Sequence, residues 1–262
     1  MMRALWTAGS GMAAQQSNID VISNNIANVN TTGYKKQRAE FQDLVYQTLN
    51  LAGATTGPDT QLPTGLQMGH GVRLSATNNV HTQGSPQSTG SEYDMAIQGK
   101  GFFQVTMPDG TIGYTRDGSF KRDSESRLVT SDGYPMEPEI LIPEDATDIS
   151  ISADGRVSVK IPGQAATEEV GQIELARFVN PAGLSRIGKN LYEETEASGA
   201  PIVNAAGEDG TGTILQQYLE MSNVQIVDEM VNMIVAQRAY ETNSKAITTS
   251  DSMLEIANGL KR

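Results

Sequence analysis

The sequence predicts an α+β fold, with long helices at the two ends of the chain and a β-rich region between them. Apolar residues recur at seven-residue spacing near both ends, whereas all ten prolines lie between Pro58 and Pro201. Several Asp-Gly pairs also fall in this middle region. Seven-residue spacing is typical of helices that pair along one face, and proline is disfavoured in helix interiors. We therefore expect the two ends to pair as a coiled-coil-like domain around a central antiparallel β-domain.

The first predicted helix covers residues 3–29 and belongs to an N-terminal domain at residues 1–33. Gly33 follows it and fits the left-handed conformation common just after a helix. The predicted packing face consists of residues one heptad apart and residues at a companion position beside them. These residues are Leu5, Met12, Ile19 and Ile26, with Ile22 and Val29 at the companion position.

Residues 34–71 are predicted to form a short helix followed by an extended arm. Apolar residues at positions 41, 44, 45 and 49 favour the short helix. From residue 52 to residue 71 the composition changes to Gly, Thr, Pro and Gln without usable periodicity. This composition predicts an extended arm rather than a packed element, and a disordered linker in the isolated monomer remains an alternative.

The central β-domain is predicted at residues 72–213. The Asp-Gly pairs at 109–110, 117–118, 132–133 and 154–155 each lie between short β-prone runs. No helical pattern separates these runs, which favours antiparallel pairing over alternating strands and helices. The strand candidates are residues 102–105, 112–115, 157–159 and 173–176.

The closing helix is predicted at residues 223–260, within a C-terminal domain at residues 214–262. Ser222 and Gln225 match the capping-box pattern, and Asp228 and Glu229 suit the positive end of the helix dipole. Its predicted packing face again follows the heptad spacing. The residues of this face are Ile226, Met233, Tyr240, Ile247 and Leu254.

The terminal helices could simply cover an ordinary core, but their sequences favour assembly. Polar residues interrupt the predicted packing surfaces at Gln15, Gln237, Ser244 and Asp251. An isolated pair of such helices gains little from burial and must still offset the entropy of ordering its backbone. We therefore expect the two ends to fold completely only when neighbouring copies cover their remaining faces.

Composition excludes several classes of protein. A formal net charge of -12 argues against nucleic-acid binding, which requires clustered Lys and Arg. No apolar stretch approaches the roughly 20 residues needed to insert directly into a membrane. The beginning of the chain lacks the continuous apolar region of a secretory signal, so we expect export without a cleaved signal peptide or a cytoplasmic location. Zero cysteines exclude disulfides and thiolate chemistry.

Sequence motifs predict no catalytic, cofactor-binding or metal-binding residues and no cofactor. The Gly-Lys-Gly stretch at 99–101 lacks the other residues of a phosphate-binding loop. His70 and His81 have no metal-ligand spacing and are interpreted as ordinary polar loop residues. Carboxylates are plentiful, and a glycosidase pair depends on geometry that sequence does not mark. An enzyme or binding module acting on cell-wall glycan therefore remains an alternative.

Four segments carry a resemblance to a known family. Residues 23–35, SNNIANVNTTGYK, resemble the N-terminal signature of bacterial flagellar rod and hook proteins. Residues 220–241 resemble the C-terminal segment of that family, and residues 97–103 and 114–120 resemble its central β-domain. The signature residues are Asn24, Asn25, Ala27, Asn28, Thr31, Gly33 and Tyr34, together with Gln237, Arg238 and Tyr240.

The resemblance implies a structural subunit that self-assembles into a helical tube in the flagellar basal body and crosses the periplasm. It implies contacts with proximal rod proteins, the hook protein, the surrounding periplasmic and outer-membrane ring proteins, and the flagellar type III export apparatus. Within the family, the length and the arm favour a subunit of the distal rod, which transmits motor torque to the hook. Another rod or hook-type subunit of the same family is the alternative.

Overall fold

The computed structural model describes residues 2–53, 55–57, 60–162 and 167–259. It has the predicted α+β composition, with two terminal helices and mostly antiparallel strands between them. Its contacts form two units. The first contains residues 1–26, 37–78 and 225–262, and the second contains residues 27–36 and 79–224. The predicted domain boundaries after residues 33, 71 and 213 stay predictions.

The two helices belong to the first unit. Helix α1 spans Met2–Ala27 and helix α2 spans Ile226–Gly259. At about 1.5 Å per residue, the 34 residues of α2 extend about 51 Å. Acidic Asp228 and Glu229 lie in its first turn, as predicted. Residue 260, the last of the predicted closing helix, lies outside the described residues.

The capping box predicted for α2 is wrong. The first turn of the helix is closed by the Glu229 amide, which donates to the Gln225 carbonyl at 3.0 Å. The Ser222 hydroxyl instead accepts from the Val224 amide at 3.2 Å. A serine side chain can close such a local turn as readily as it caps a helix, so the helix begins three residues later than its sequence indicates.

A two-stranded ribbon occupies most of the chain that the first unit contributes between the helices. Its strands pair from the outside inward, β1 with β6, β2 with β5 and β3 with β4. The last two pairs are antiparallel. The six strands are β1 (Gln37–Asp43), β2 (Gln47–Asn50), β3 (Thr55–Gly57), β4 (Thr60–Gln61), β5 (Leu66–Met68) and β6 (Val72–Asn79).

The short helix predicted around residues 41–49 is therefore wrong, because strands β1 and β2 occupy that segment. A helix of two turns is marginal on its own. The returning strands give the backbone of this segment cross-strand hydrogen bonds instead, a long-range pairing that local spacing does not reveal. Residues 54, 58 and 59 of the predicted arm lie outside the described residues.

The second unit contains the remaining strands and a short 3-10 turn at Pro181–Gly183. The strands are β7 (Pro86–Ser88), β8 (Met95–Gln98), β9 (Phe103–Thr106), β10 (Ile112–Thr115), β11 (Lys121–Arg122), β12 (Leu128–Val129), β13 (Met136–Glu137), β14 (Asp148–Ile151), β15 (Arg156–Lys160), β16 (Glu168–Gln172), β17 (Glu174–Arg177), β18 (Ser185–Gly188), β19 (Leu191–Glu193), β20 (Ile202–Ala205), β21 (Thr213–Gln216) and β22 (Tyr218–Glu220). The four predicted strands correspond to β9, β10, β15 and β17.

Antiparallel sheets enclose the core of the second unit. One sheet has the order β13-β9-β10-β19-β18, and another has the order β14-β15-β16. Asp-Gly pairs at 109–110 and 154–155 lie in the turns that join β9 to β10 and β14 to β15. Eighteen of the described residues form one buried apolar cluster, in which the rings of Phe103 and Phe120 meet edge to face with centroids 5.3 Å apart. A second cluster includes Phe102, Phe178 and Tyr192.

Candidate assembly surfaces

Two distant segments of the second unit, residues 31–36 and 220–224, lie side by side. The Gly33 amide donates to the Glu220 carbonyl at 2.8 Å. The Lys36 amide donates to the side-chain oxygen of Asn223 at 2.7 Å, and the Asn223 side-chain amide donates to the Val80 carbonyl at 2.8 Å. The segment that follows α1 in the sequence is thus fastened to the segment that precedes α2.

Signature residue Gly33 is required for two reasons where residues 31–36 meet residues 220–224. Its φ of 66° is in the left-handed region that favours glycine. A Cβ atom at this position would lie 2.5 Å from the Asp117 nitrogen and 2.6 Å from the Arg116 carbonyl carbon. The neighbouring Thr32 hydroxyl donates to the Asp117 carboxylate at 2.9 Å, which fixes the same turn through its side chain.

Signature residue Tyr34 is buried beside a cation. The Arg186 guanidinium lies 4.9 Å from the centre of the Tyr34 ring, and Arg186 also donates to the Lys35 carbonyl. Stacking of a guanidinium on an aromatic face adds electrostatic attraction to the burial of the ring. Two of the residues identified by family resemblance therefore have structural roles in the second unit.

A buried ionic cluster of Lys35, Arg116 and Glu220 lies where residues 31–36 meet residues 220–224. The Glu220 carboxylate lies 2.5 Å from the Lys35 ammonium and 3.2 Å from the Arg116 guanidinium, and it accepts from the Gly84 amide at 2.8 Å. The side chains are only 1%, 5% and 1% exposed for Lys35, Arg116 and Glu220. Burial lowers the pKa of Lys35, and the Glu220 charge opposes that shift.

His81 lies among the same residues and does not behave as the ordinary polar loop residue that the sequence predicts. Its ring centroid lies 5.7 Å from those of Phe102 and Tyr192. Burial lowers its pKa to about 4, with further contributions from the positive charges of Lys35, Arg116 and Arg186. The imidazole is therefore neutral near pH 7.

In the first unit, the most buried residues of the two helices, apart from Ile22, differ from the predicted packing faces. They are Ala8, Ala14, Ile22 and Asn25 in α1, and Glu229 and Ala236 in α2. Of the predicted residues, Ile22 is buried, whereas Ile226 and Tyr240 are exposed. The other predicted residues of the helices are half-buried: Leu5, Met12, Ile19, Ile26, Met233, Ile247 and Leu254. Val29 is also half-buried but lies after the end of α1 at Ala27.

Two contacts fix where the helices meet within the first unit. The Asn25 side-chain amide donates to the Glu229 carboxylate at 3.4 Å. A Cβ atom added to Gly11 would lie 2.9 Å from the side-chain nitrogen of Asn243. The two contacts are separated by two heptads on each helix. Going from Gly11 to Asn25 along α1, the contacted residue moves backwards along α2 from Asn243 to Glu229. The helices are therefore antiparallel where they meet.

Signature residue Asn25 also contacts strand β1. Its side-chain amide donates to the Gln37 carbonyl at 2.8 Å and its side-chain oxygen accepts from the Gln37 amide at 2.9 Å. Among the other signature residues, Asn28 accepts from the Thr31 hydroxyl at 3.2 Å. Five of the described signature residues are exposed: Asn24, Ala27, Gln237, Arg238 and Tyr240.

The first unit exposes two apolar surfaces. One is the apolar ridge of α2, whose six residues are between 47% and 73% exposed. The other is the apolar side of the ribbon, where Val45 is 83% and Leu51 is 70% exposed. Contiguous exposed apolar surface commonly marks an interaction site. The ridge consists of Ile226, Val227, Met230, Val231, Ile234 and Val235, and the ribbon adds Tyr46, Leu49, Leu66 and Met68.

Within the described part of the chain, no group of three or more His, Asp or Glu residues could hold a metal ion. None of the described helices is both long and apolar enough to cross a membrane.

Comparisons with known proteins connect these surfaces with a family. Residues 5–35 match the model for flagella basal body rod proteins, and residues 96–159 match the flagellar hook protein FlgE/F/G D1 domain. Residues 215–260 match the C-terminal model of flagellar basal body rod FlgEFG proteins. The chain belongs to this family of flagellar rod and hook proteins.

Similar proteins within the family cover nearly the whole chain. The flagellar basal-body rod protein FlgG of Borreliella burgdorferi is 58% identical and covers 100% of both chains. FlgG of Caulobacter vibrioides is 52% identical, with 99% of this chain and 100% of that protein covered. FlgG of Bacillus subtilis is 44% identical, with 100% of both chains covered.

Proposed function

We propose that this protein is a structural subunit of the bacterial flagellar distal rod, self-assembling into a rigid helical tube. The observation that carries this proposal is its likeness, along the whole chain, to proteins named as FlgG basal-body rod proteins. The tube would cross the periplasm and transmit motor torque to the hook. Export would proceed through the flagellar type III apparatus without a cleaved signal peptide.

The terminal helices would pair as a coiled-coil-like layer on the inside of the tube. The antiparallel contacts at Asn25–Glu229 and Gly11–Asn243 support a continuous pairing of α1 with α2. The residues at these contacts are small or polar and contribute little apolar burial. The apolar ridge of α2 would therefore pack against neighbouring copies, because repeated head-to-tail contacts that do not close into a ring generate an open helical polymer.

Residues 34–71 would act as a stiffening arm. The ribbon supports this role, because paired strands resist bending more than an unpaired loop and leave Val45 and Leu51 available for a neighbouring subunit. The ends of the polymer would meet the proximal rod proteins and the hook protein. Its outer face would lie inside the periplasmic and outer-membrane ring proteins.

Deletion of the helices tests the proposed polymer. A variant lacking residues 2–26 and a variant lacking residues 226–262 should each retain cooperative unfolding of the β-rich unit, measured by circular dichroism. Neither should form tubes in electron micrographs, whereas the full chain should. Tubes formed by either shortened chain would refute an inner layer built from both helices.

The role of the ribbon needs a separate measurement. Removal of residues 52–65, which leaves β1 paired with β6, should produce tubes with greater curvature and a shorter persistence length in electron micrographs. The matched variant keeps the full length but replaces the same residues with a Gly/Ser sequence, which is flexible. Straight tubes from both variants would contradict the stiffening role and favour another rod or hook-type subunit.

A further inference from the structure

A pocket in the second unit combines positive charge with an apolar wall. Its volume is about 410 Å³. The residues that give it this character are His81, Lys100, Phe102, Arg116, Arg177 and Phe178. None of the described residues lining it is acidic. In a chain with a formal net charge of -12, this concentration of cations is a local exception.

Two of the cations retain unused hydrogen-bonding capacity. Arg116 is 5% exposed and uses its terminal nitrogens on Glu220 at 3.2 Å and on the carbonyls of Ile97 at 3.4 Å and Gly99 at 2.6 Å. Its Nε atom is buried without a hydrogen-bond partner among the described residues, as is the Nε atom of Arg177. Buried donors are normally paired, so both residues could donate a further hydrogen bond to an acceptor that enters the pocket.

The local charge balance also indicates an anion. Within the buried ionic cluster, the single Glu220 carboxylate lies against two cations, Lys35 and Arg116. Arg177 and Lys100 add further positive charge along the pocket. Buried charge is costly unless it is paired, and a bound anion would offset this excess.

The wall of the pocket favours an anion attached to a short aliphatic stem. Phe102 and Phe178 are buried, with ring centroids 5.9 Å apart, and Val179 beside them is 82% exposed. These apolar surfaces would contact methylene groups, whereas a fully hydrated inorganic ion would gain nothing from them. An aspartate or glutamate side chain has both the charge and the stem.

We propose that this pocket receives an Asp or Glu side chain from a second copy of the chain, forming an ion pair between subunits. The inference rests on the proposed polymer. The chain carries 31 acidic and 19 basic residues, and the second unit exposes carboxylates such as Glu193, Glu194 and Glu196. A neighbouring copy would therefore present carboxylates to a pocket of the opposite charge, which favours correct register.

Zero-length cross-linking of isotope-mixed polymer identifies the occupant directly. Tubes grown from equal amounts of ¹⁴N and ¹⁵N chains are treated with a carbodiimide, which joins an amine to a contacting carboxylate. Mass spectrometry should find Lys100 joined to an Asp or Glu peptide carrying the other isotope. Arg177→Gln should lower the yield several-fold, whereas a link found only within one chain, or none, would overturn the proposal.

Charge removal measures the contribution to assembly. Lys100→Gln combined with Arg177→Gln should raise the critical concentration for tube formation at least about tenfold. Lys121→Gln combined with Arg122→Gln removes the same charge from two exposed residues of β11. This control pair should leave the critical concentration unchanged. If the chain with both pocket substitutions does not fold, Lys100→Gln alone, at an exposed side chain, provides a milder variant. Equal effects of both pairs, or no effect of the pocket pair, would overturn the proposal.

Propionate distinguishes a neighbouring side chain from a free carboxylate. It should raise the critical concentration of the unaltered chain more than chloride does at equal ionic strength, and the pocket pair should lose this difference. Two results together would assign the site to a free carboxylate and overturn the proposal. These are saturable binding of propionate to the unaltered chain and normal tube formation by the pocket variant. If the unaltered chain forms no tubes, the proposed function itself fails; normal tubes from the pocket variant refute this inference alone.

Discussion

The two units of the molecule bury apolar residues to very different extents. Among the described residues, the second unit encloses a cluster of eighteen buried apolar residues and a smaller, mostly aromatic cluster. The described buried apolar residues of the first unit are Ala8, Ala14, Ile22 and Ala236, three of which are alanines. The first unit instead exposes the apolar ridge of α2 and the apolar side of the ribbon.

This difference separates folding from assembly within one chain. The second unit packs a large set of apolar side chains against each other in its own core. The first unit leaves aliphatic side chains in water, and such surface becomes stabilising only when another surface covers it. We therefore expect substitutions in the second unit to change the free energy of unfolding of the monomer. Substitutions on the ridge should change mainly the free energy of polymerisation.

The largest expected effect is at Glu220 in the second unit. Glu220→Gln leaves Lys35 and Arg116 buried without a countercharge and should lower the free energy of unfolding by about 3–5 kcal/mol. The control is Glu125→Gln, which breaks a 2.6 Å ion pair with Arg127 at a 67% exposed side chain. It should cost no more than about 1 kcal/mol. If urea denaturation shows similar losses of unfolding free energy for both variants, the buried ion pair is no more important for stability than the surface pair.

A smaller effect concerns the pH dependence of the second unit. The pKa of His81 is about 4 in the folded chain, against about 6.5 when unfolded. Between these values the unfolded state binds a proton that the folded state does not, so stability falls as pH falls. The His81 contribution should be on the order of 1 kcal/mol between pH 7.5 and pH 5.5.

His81→Gln should remove this contribution, measured as the difference between urea denaturation at pH 7.5 and at pH 5.5. His70→Gln, at the exposed histidine of the first unit, is the matched variant and should keep the difference of the unaltered chain. If His81→Gln shows the same change in the free energy of unfolding between the two pH values as the unaltered chain, the pH dependence arises from other groups.

The smallest effect on monomer stability is expected at the ridge. Ile234→Ser changes a residue that is 55% exposed and should alter the free energy of unfolding by no more than about 0.5 kcal/mol. The same variant should raise the critical concentration for tube formation severalfold. Leu141→Ser, at an equally exposed residue of the second unit, should leave assembly unchanged. Equal effects on assembly would mean that both units contribute alike to subunit contacts.

Local sequence signals predict much of the fold because they act over a few residues. Strands β9 and β10 follow from β-prone runs on either side of an Asp-Gly turn, and α2 follows from a long stretch without proline. The left-handed conformation of Gly33 is also identified from sequence, although α1 ends at Ala27, two residues earlier than predicted. The contact of Gly33 with Asp117, which makes any side chain impossible there, involves a segment more than eighty positions away.

The candidate sites depend on contacts that local patterns do not carry. Lys35, Arg116 and Glu220 lie far apart in sequence, and each resembles an ordinary surface charge until the strands bring them together. The same holds for the cationic pocket, where His81 and Arg177 come from distant segments. The helix faces were predicted from heptad spacing, yet small and polar residues such as Gly11 and Asn25 make the identified contacts, because close approach of two helices favours small side chains.

Periodicity, proline placement and turn residues were sufficient to specify terminal helices, a central antiparallel region and, through the signature segments, the family. These features are local, since each depends on backbone preferences within a few positions. Tertiary structure decided that strands β1 to β6 pair as a ribbon, that one carboxylate is buried against two cations, and that the ridge of α2 remains exposed. Each of these outcomes depends on which distant segments meet, because burial and charge pairing are properties of the folded neighbourhood rather than of the residue.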